Sequence, residues 1–513
     1  MDQQGHGTHV CGIIAAQPNN PYNFTGAAPG VTLGIYKVFG AADSVGDDVL
    51  IAAFNMAYED GVDIITSSIG GASGWTESPW SVTVERIVEN GVPCTVAAGN
   101  AGADGIFFTS EAANGKSVTA IASVDNIMTP ALMNKGTYTV GAGGPSTDFA
   151  YVLETPNNFN NISLPLWAVS FNTTDPANGC DPYPDSTPDL SGFIVLIHRG
   201  TCTFVQKAQN AVAKGAKYIM IYNNGPDAAL SLDVSSVPGL NGAGYVYQEQ
   251  GVAFVKLLAA GDTVTLSLPP PATAGFVYNI TSNTDSGGFL STYTSWGPTY
   301  ELDLKPQFSS VGGNILSTWP LSLGGYAVLS GTSMATPLAA AIYSLVMEVR
   351  GIKDAKTLEN LFSSTANPNL FNSGTAASTT QALAPVAQQG GGLIQAYDAA
   401  YSKTLLSVSG LAFNDTDNFS PVQSFTISNT GSSSATYTIG NIAAAAAYAF
   451  PASGGIFPAT FPNTLVDGAA SISFSPAGAI TIPAGQRKII TVTLTPPSGL
   501  MPSGLPSTRA TSP

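Results

Sequence analysis

Three short stretches hold residue types that together make a nucleophilic hydrolase: GHGTHVCG at 5–12, VAAGNAG at 96–102 and SGTSMATP at 330–337. Acyl transfer by a hydroxyl needs a nucleophile, a base to take its proton, and donors aimed at the oxyanion that forms. Ser333 stands between a glycine-containing turn and a long apolar helix pattern. Its hydroxyl therefore falls at a helix N-terminus, where outward N–H groups favour negative charge. The same placement suits a plain N-cap serine. His6, with glycine on both sides, serves as a base or as a structural histidine. Asn100 follows an apolar run, where its side-chain amide donates to an oxyanion or ends a turn. Each residue alone is ambiguous, and the three together point to acyl transfer.

Residues so far apart in sequence need a frame. From 31 the chain reads VTLGIYKVFG, then DDVLIAAFNMAYEDG, then VDIITSSIGG: an apolar run, an amphipathic stretch and another apolar run. SVTVERIVENG and VPCTVAAGN repeat the alternation, and SVTAIASV adds another strand. This is the pattern of a parallel sheet with crossover helices, so the first 128 residues are expected to be doubly wound. After Asn126 the texture shifts to Asn, Pro, Thr and Gly, with strand signals in GFIVLIHRGTC and KYIMIYNNG around a helix-like FVQKAQNAVAKGA. That patch is expected to be a separate insert over 129–275, ending at the prolines of LSLPPPATAG. The α/β pattern resumes over 276–403. From 404 to 513, runs such as SFTISNT, ATYTIG, SISFSP and KIITVTLTPP alternate with turn residues and predict a β-sandwich, with a loose Pro/Ser-rich tail from 496.

Composition narrows the partners. With 17 Lys and Arg against 33 Asp and Glu, the chain carries a formal charge of −16. A chain so acidic lacks the basic face that nucleic acid or an anionic membrane requires. No run approaches the ~20 consecutive apolar residues of a membrane span, PLAAAIYSLVMEV being short and followed by charge. Six Asn-x-Ser/Thr sequons, at Asn23, Asn161, Asn172, Asn279, Asn414 and Asn418, and a sequence in which only 10 % of residues are charged agree with secretion. No basic segment followed by an apolar stretch opens the chain, so its beginning, signal peptide included, is expected to be missing. Cys180 and Cys202 flank a segment rich in Asp, Pro and Ser, where a disulfide closing the loop would gain most. Cys11 and Cys94 lie in apolar runs and read as small buried thiols.

The three motifs resemble those of the subtilases, the subtilisin-like serine peptidases. GHGTHVCG is similar to the family's histidine motif, with Cys11 where alanine is usual, and implies His6 as general base. SGTSMATP implies Ser333 as nucleophile, and AAGN implies Asn100 as the side-chain oxyanion donor. SSIGG resembles the segment whose backbone pairs with substrate, at Ser68, Ile69 and Gly70. Gln307 departs from the pattern, standing where aspartate is common. The insert resembles protease-associated (PA) domains over 195–224, and the C-terminal region resembles a fibronectin-III-like domain. The implied fold is α/β: a subtilisin-like parallel-sheet sandwich with an inserted PA domain and a C-terminal β-sandwich. His9 is similar to the family's non-catalytic second histidine, and His198 reads as structural.

In this family the triad aspartate precedes the histidine. The resemblance therefore implies that the triad Asp is absent from this chain, and Asp2, four residues before His6, reads as a turn anchor. The expectation is a secreted serine endopeptidase working through an acyl-enzyme, here as a fragment of low activity. It acts on polypeptides without a cofactor and as a monomer. The alternative is a non-catalytic secreted binding protein using the PA and β domains. An α/β-hydrolase esterase is disfavoured, because the base precedes the nucleophile and no GxSxG surrounds Ser333.

Overall fold

SVTAIASV carries apolar residues on both alternations, Val118 and Ala120 on one and Ile121 on the other, so it can pack two faces at once, and the fold uses both. A computed structural model describes the chain except Met1 and residues 41–43, 226–233, 271–272, 375–381, 416, 452–456, 462–464, 467–469 and 499–513. Most of the expected tail therefore lies outside the described residues. By compactness the chain divides into Met1–Ile127 with Asn283–Pro513, and Met128–Ser282.

The first part runs α1 (His6–Ala15), α2 (Asp47–Glu59), β1 (Ile65–Ser67), α3 (Pro79–Glu89), β2 (Cys94–Ala97) and β3 (Thr119–Asp125). Asp47 and Asp48 stand in the first turn of α2, where acidic side chains complement the helix dipole. In α3 the Ser78 hydroxyl accepts from Ser81 N and Pro79 opens the helix, so this N-terminus is written in the sequence. Val118 and Ala120 face α2 and α3, in a core with Trp80, Val84 and Val96, while Ile121 turns to the opposite core. The expected strand at 31–40 does not form. Ile35 is 69 % exposed and no ladder reaches this stretch; instead Tyr36 and Val38 pack on the core shared by α2, α3, β1 and β2.

Met128–Ser282 contains β4 (Met128–Val140), β5 (Thr147–Asn157), β6 (Ile162–Ala168), β7 (Ile194–His198), α4 (Phe204–Val212), β8 (Tyr218–Tyr222), β9 (Gly242–Val246), α5 (Gln248–Ala259), β10 (Val264–Leu268) and β11 (Phe276–Ser282). The strands lie in the order β10-β6-β7-β8-β9-β5-β4-β11, and a further β10–β4 pairing closes the sheet on itself. Only β6 to β9 are parallel. Val195 and Ile197 face the core covered by α4, and Ile194 and Leu196 the one covered by α5. This unit extends beyond 275 because β11 pairs antiparallel along β4, from Phe276 opposite Asn134 to Ser282 opposite Met128. Cys180 and Cys202 form a disulfide within it. His198 is buried, with Nδ1 2.9 Å from Asp175 O and its ring stacked on Tyr222.

The chain returns with β12 (Phe308–Gly313), β13 (Ile315–Thr318), β14 (Tyr326–Leu329), α6 (Thr332–Arg350), α7 (Ala355–Thr365), α8 (Val386–Gln389) and α9 (Ala396–Tyr401). β12 joins β3 in parallel to complete the order β1-β2-β3-β12. α6 is long and apolar enough to match a membrane span, but it lies on this sheet with Ala335, Ala339, Tyr343 and Val346 buried. Small residues let it approach closely. β15 (Thr404–Leu406), β16 (Val422–Asn429), β17 (Ala435–Thr438), β18 (Ala446–Ala447), β19 (Leu465–Val466), β20 (Ser471–Ser475), β21 (Ala479–Ile482) and β22 (Arg487–Thr495) follow. The β15-β16-β22-β20 sheet and the β17-β21 pair bury Ile427, Ile490, Ile480 and Ile482 between them, as a sandwich does.

Candidate active site

α6 begins with an unusual economy of hydrogen bonds. Its N-cap is Gly331, which offers no side chain, so the orphan N–H groups of the first turn need other partners. Thr332 finds them on Asn100: Thr332 N and Thr332 Oγ1 both donate to Asn100 Oδ1, at 3.0 Å each. Thr332 Oγ1 in turn accepts from Gly99 N at 3.2 Å. Two donors on Oδ1 fix which way the amide points, so Nδ2 faces away from Thr332. A Cβ placed on Gly331 would lie 3.5 Å from Nδ2, which puts that nitrogen beside the start of α6. Met334 N and Ala335 N turn back to Gly331 O. Among the described residues neither Ser333 N nor Asn100 Nδ2 has a hydrogen-bond partner. Both nitrogens lie 3.5 Å from one point, where a Cβ on Gly331 would stand, and two donors converging in this way are what an oxyanion requires.

The end of β1 approaches from another side. Ser333 Oγ donates to Ser68 O at 3.1 Å, and Ser68 Oγ donates to Ser333 O at 2.7 Å. Beyond it the chain runs beside residues 109–110, where Ser73 N donates to Thr109 O at 3.0 Å and Ala72 bridges Ser110. Gly70 carries a φ of 153°, and a Cβ there would meet Ser110 Oγ at 2.7 Å. The sequence-predicted Ser68, Asn100 and Ser333 thus meet in one place.

His6 opens α1, which packs against α6 and β13. Its N-cap, Gly5, has a φ of 92°, and a Cβ there would overlap the Trp319 ring at 2.3 Å, so glycine is obligatory on both counts. Asp2 organises this turn. Its Oδ1 accepts from Gln4 N at 3.0 Å and Gly5 N at 2.9 Å, and its Oδ2 from Thr8 N at 3.1 Å and Thr8 Oγ1 at 2.7 Å. Partial burial opposes the charge, but these bonds outweigh it and hold the carboxyl down at about 2. Burial pushes His6 below the usual imidazole value, and the Asp2 charge partly offsets this, leaving a neutral ring at pH 7. Ser333 Oγ bonds to Ser68 rather than to His6, and among the described residues no carboxylate hydrogen-bonds to the His6 ring.

His9 is fully buried, with Nε2 3.1 Å from both Ile315 O and Ala327 O and its pKa pushed by burial to about 4. It anchors α1, as Ser317 Oγ does by donating to His9 O at 2.7 Å. Gln307 is buried and internal: Oε1 accepts from Ala120 N at 2.7 Å, tying β12 to β3. Cys11 and Cys94 are free thiols, Cys94 buried and Cys11 partly so, with both pKa values raised by burial. No group of three or more His, Cys, Asp or Glu able to hold a metal occurs among the described residues. The sequence reading missed Thr332 and the Ser68 hydroxyl. The signal for Ser68 was Pro337, four residues after Ser333.

A model of the subtilase family matches residues 1–392, and one of an Fn3-like domain matches 411–508. The minor extracellular protease Vpr of Bacillus subtilis (strain 168) is 27 % identical over 446 residues, covering 85 % of this chain and 50 % of that protein. The PII-type proteinase of Lactococcus lactis subsp. cremoris is 28 % identical over 384 residues, covering 69 % of this chain and 19 % of that protein. Among solved structures, the psychrophilic subtilisin-like protease Apa1 from the Antarctic psychrotroph Pseudoalteromonas sp. AS-11 aligns at a TM-score of 0.42 and 20 % identity, over 78 % of this chain and 84 % of that one. The chain spans half or less of the length of these two curated relatives.

Proposed function

The chain belongs to the subtilase family, and from that premise we propose that it is a serine endopeptidase with Ser333 as nucleophile. Ser333 Oγ attacks a peptide carbonyl while His6 takes its proton. Asn100 Nδ2 and Ser333 N hold the oxyanion. The tetrahedral intermediate collapses to an acyl-enzyme as His6 returns the proton to the leaving amine, and water then releases the acid. The observation that supports this reading is the pair of donors, Ser333 N and Asn100 Nδ2, that converge at Gly331 without a partner among the described residues. A neutral His6 is the state a base needs.

The substrate is polypeptide, held along Ser68, Ile69 and Gly70, and the chain acts as a monomer without a cofactor. The oxygens of Asp2 are occupied by its own turn, so the described residues supply a serine and a histidine without an orienting acid. In subtilisin itself, losing that acid costs about 3 × 10⁴ in kcat. The described residues alone are expected to work at that residual level. The extracellular relative, and sequon asparagines that are exposed at all positions but the half-buried Asn279, support a secreted glycoprotein. The disulfide and the parallel β6–β9 core support reading Met128–Ser282 as a PA domain.

The test is labelling by a fluorophosphonate, with the adduct located by peptide mass mapping. A single adduct on Ser333, abolished by Ser333→Ala and slowed by His6→Ala, is expected. No adduct would replace this reading with that of a non-catalytic binding protein, and a single adduct elsewhere would reject Ser333 as the nucleophile.

A further inference from the structure

Pro337 lies inside α6 and has no amide hydrogen, so it cannot close the helical bond to the carbonyl four residues earlier, that of Ser333. Ser68 Oγ donates to that carbonyl at 2.7 Å. The nucleophile is therefore tied on two sides: Thr332 is bound to the Asn100 turn, and Ser333 itself to the end of β1. We propose that Ser68 is a positioning residue, its hydroxyl standing in for the amide that Pro337 lacks and fixing the main chain of Ser333. This rests on the reading of Ser333 as nucleophile, and it assigns the Ser68 side chain a task separate from any pairing of its backbone with substrate.

The consequence follows from helix geometry. With proline at 337, the Ser333 carbonyl takes its hydrogen bond from outside the helix, so the backbone torsions of Ser333 answer to β1 as well as to α6. The direction of the hydroxyl and of the adjoining N–H is set by those torsions. An ordinary residue at 337 would bind the carbonyl within the helix and make the Ser68 hydroxyl redundant. Two positions that no sequence spacing links are thereby expected to be coupled.

A double-mutant cycle tests this on the full chain, using Ser68→Ala, Pro337→Ala and the pair, with Ser68→Thr as the conservative control. The readouts are the maximal rate and half-saturation of Ser333 phosphonylation, and Tm. Losing one fixed hydrogen bond is expected to slow the maximal rate about tenfold in Ser68→Ala, with half-saturation unchanged, and to lower Tm by roughly 1–2 °C. Ser68→Thr should recover most of the rate. In the Pro337→Ala background, Ser68→Ala should cost less than half as much on both readouts. Equal costs in the two backgrounds, or an effect on half-saturation alone, would refute the tether. The Tm cycle does not require reactivity, so coupling in Tm without any labelling would keep the tether and reject the peptidase reading.

Discussion

Replacing Asn100 by aspartate separates what its two amide atoms do. Oδ1 holds Thr332 through two hydrogen bonds, and Thr332 is 1 % exposed, so both donors would be stranded in Asn100→Ala. At about 1 kcal/mol for each bond, that variant should lose about 2 kcal/mol of stability. Asn100→Asp keeps an acceptor at the same place and should stay within about 1 kcal/mol of the parent, because a carboxylate accepts from the same two donors. It also puts an oxygen where Nδ2 faces the developing charge. Removing one such donor in subtilisin itself costs about 10²–10³ in kcat, and the phosphonylation rate of Asn100→Asp should fall by at least that factor. Stopped labelling read by intact mass, beside urea unfolding of the same samples, gives both numbers. A folded Asn100→Asp that labels at the parental rate would refute the assignment of Nδ2 to the oxyanion.

Two further outcomes concern protons. His9 titrates near 4 when folded and near 6.5 when unfolded, so the unfolded chain binds the extra proton between those values. Stability should be complete above pH 6.5 and decline as pH falls towards 4, by about 3 kcal/mol in all; His9→Gln, which can still donate to Ile315 O and Ala327 O, should flatten that decline in urea titrations across pH. Asp2→Asn removes the charge that raises His6, so the acid limb of the labelling rate, where the base becomes protonated, should move to lower pH; a shift the other way would mean that His6 does not control the limb.

Where Ser333 and Asn100 fall in the fold was more legible than the scaffold around them. Ser333 and Asn100 sit in motifs whose local conformation follows from neighbouring glycines and an apolar helix, so the sequence places them well. Strand 31–40 was misread because an apolar run says nothing about whether a partner edge is within reach, and this one packs on the helix-and-strand core without pairing. The end of the insert was misread for the opposite reason. Three prolines marked a boundary, yet β11 beyond them pairs along the whole first half of β4. Thr332 was invisible because its role is defined by a contact across 232 residues.

The insert interrupts the chain between β3 and β12, which pair with each other. For an extended chain, that pairing must close a loop over residues 126–307. Once β4 to β11 have formed, however, Met128 and Ser282 are register partners, and the free chain left to close is only 126–127 and 283–307. Loop-closure entropy grows with the logarithm of length, so prior folding of the insert makes the β3–β12 ladder easier to form by about 2 kcal/mol. An insert that folds first would thus act as a clasp, drawing together two strands that sequence distance would keep apart.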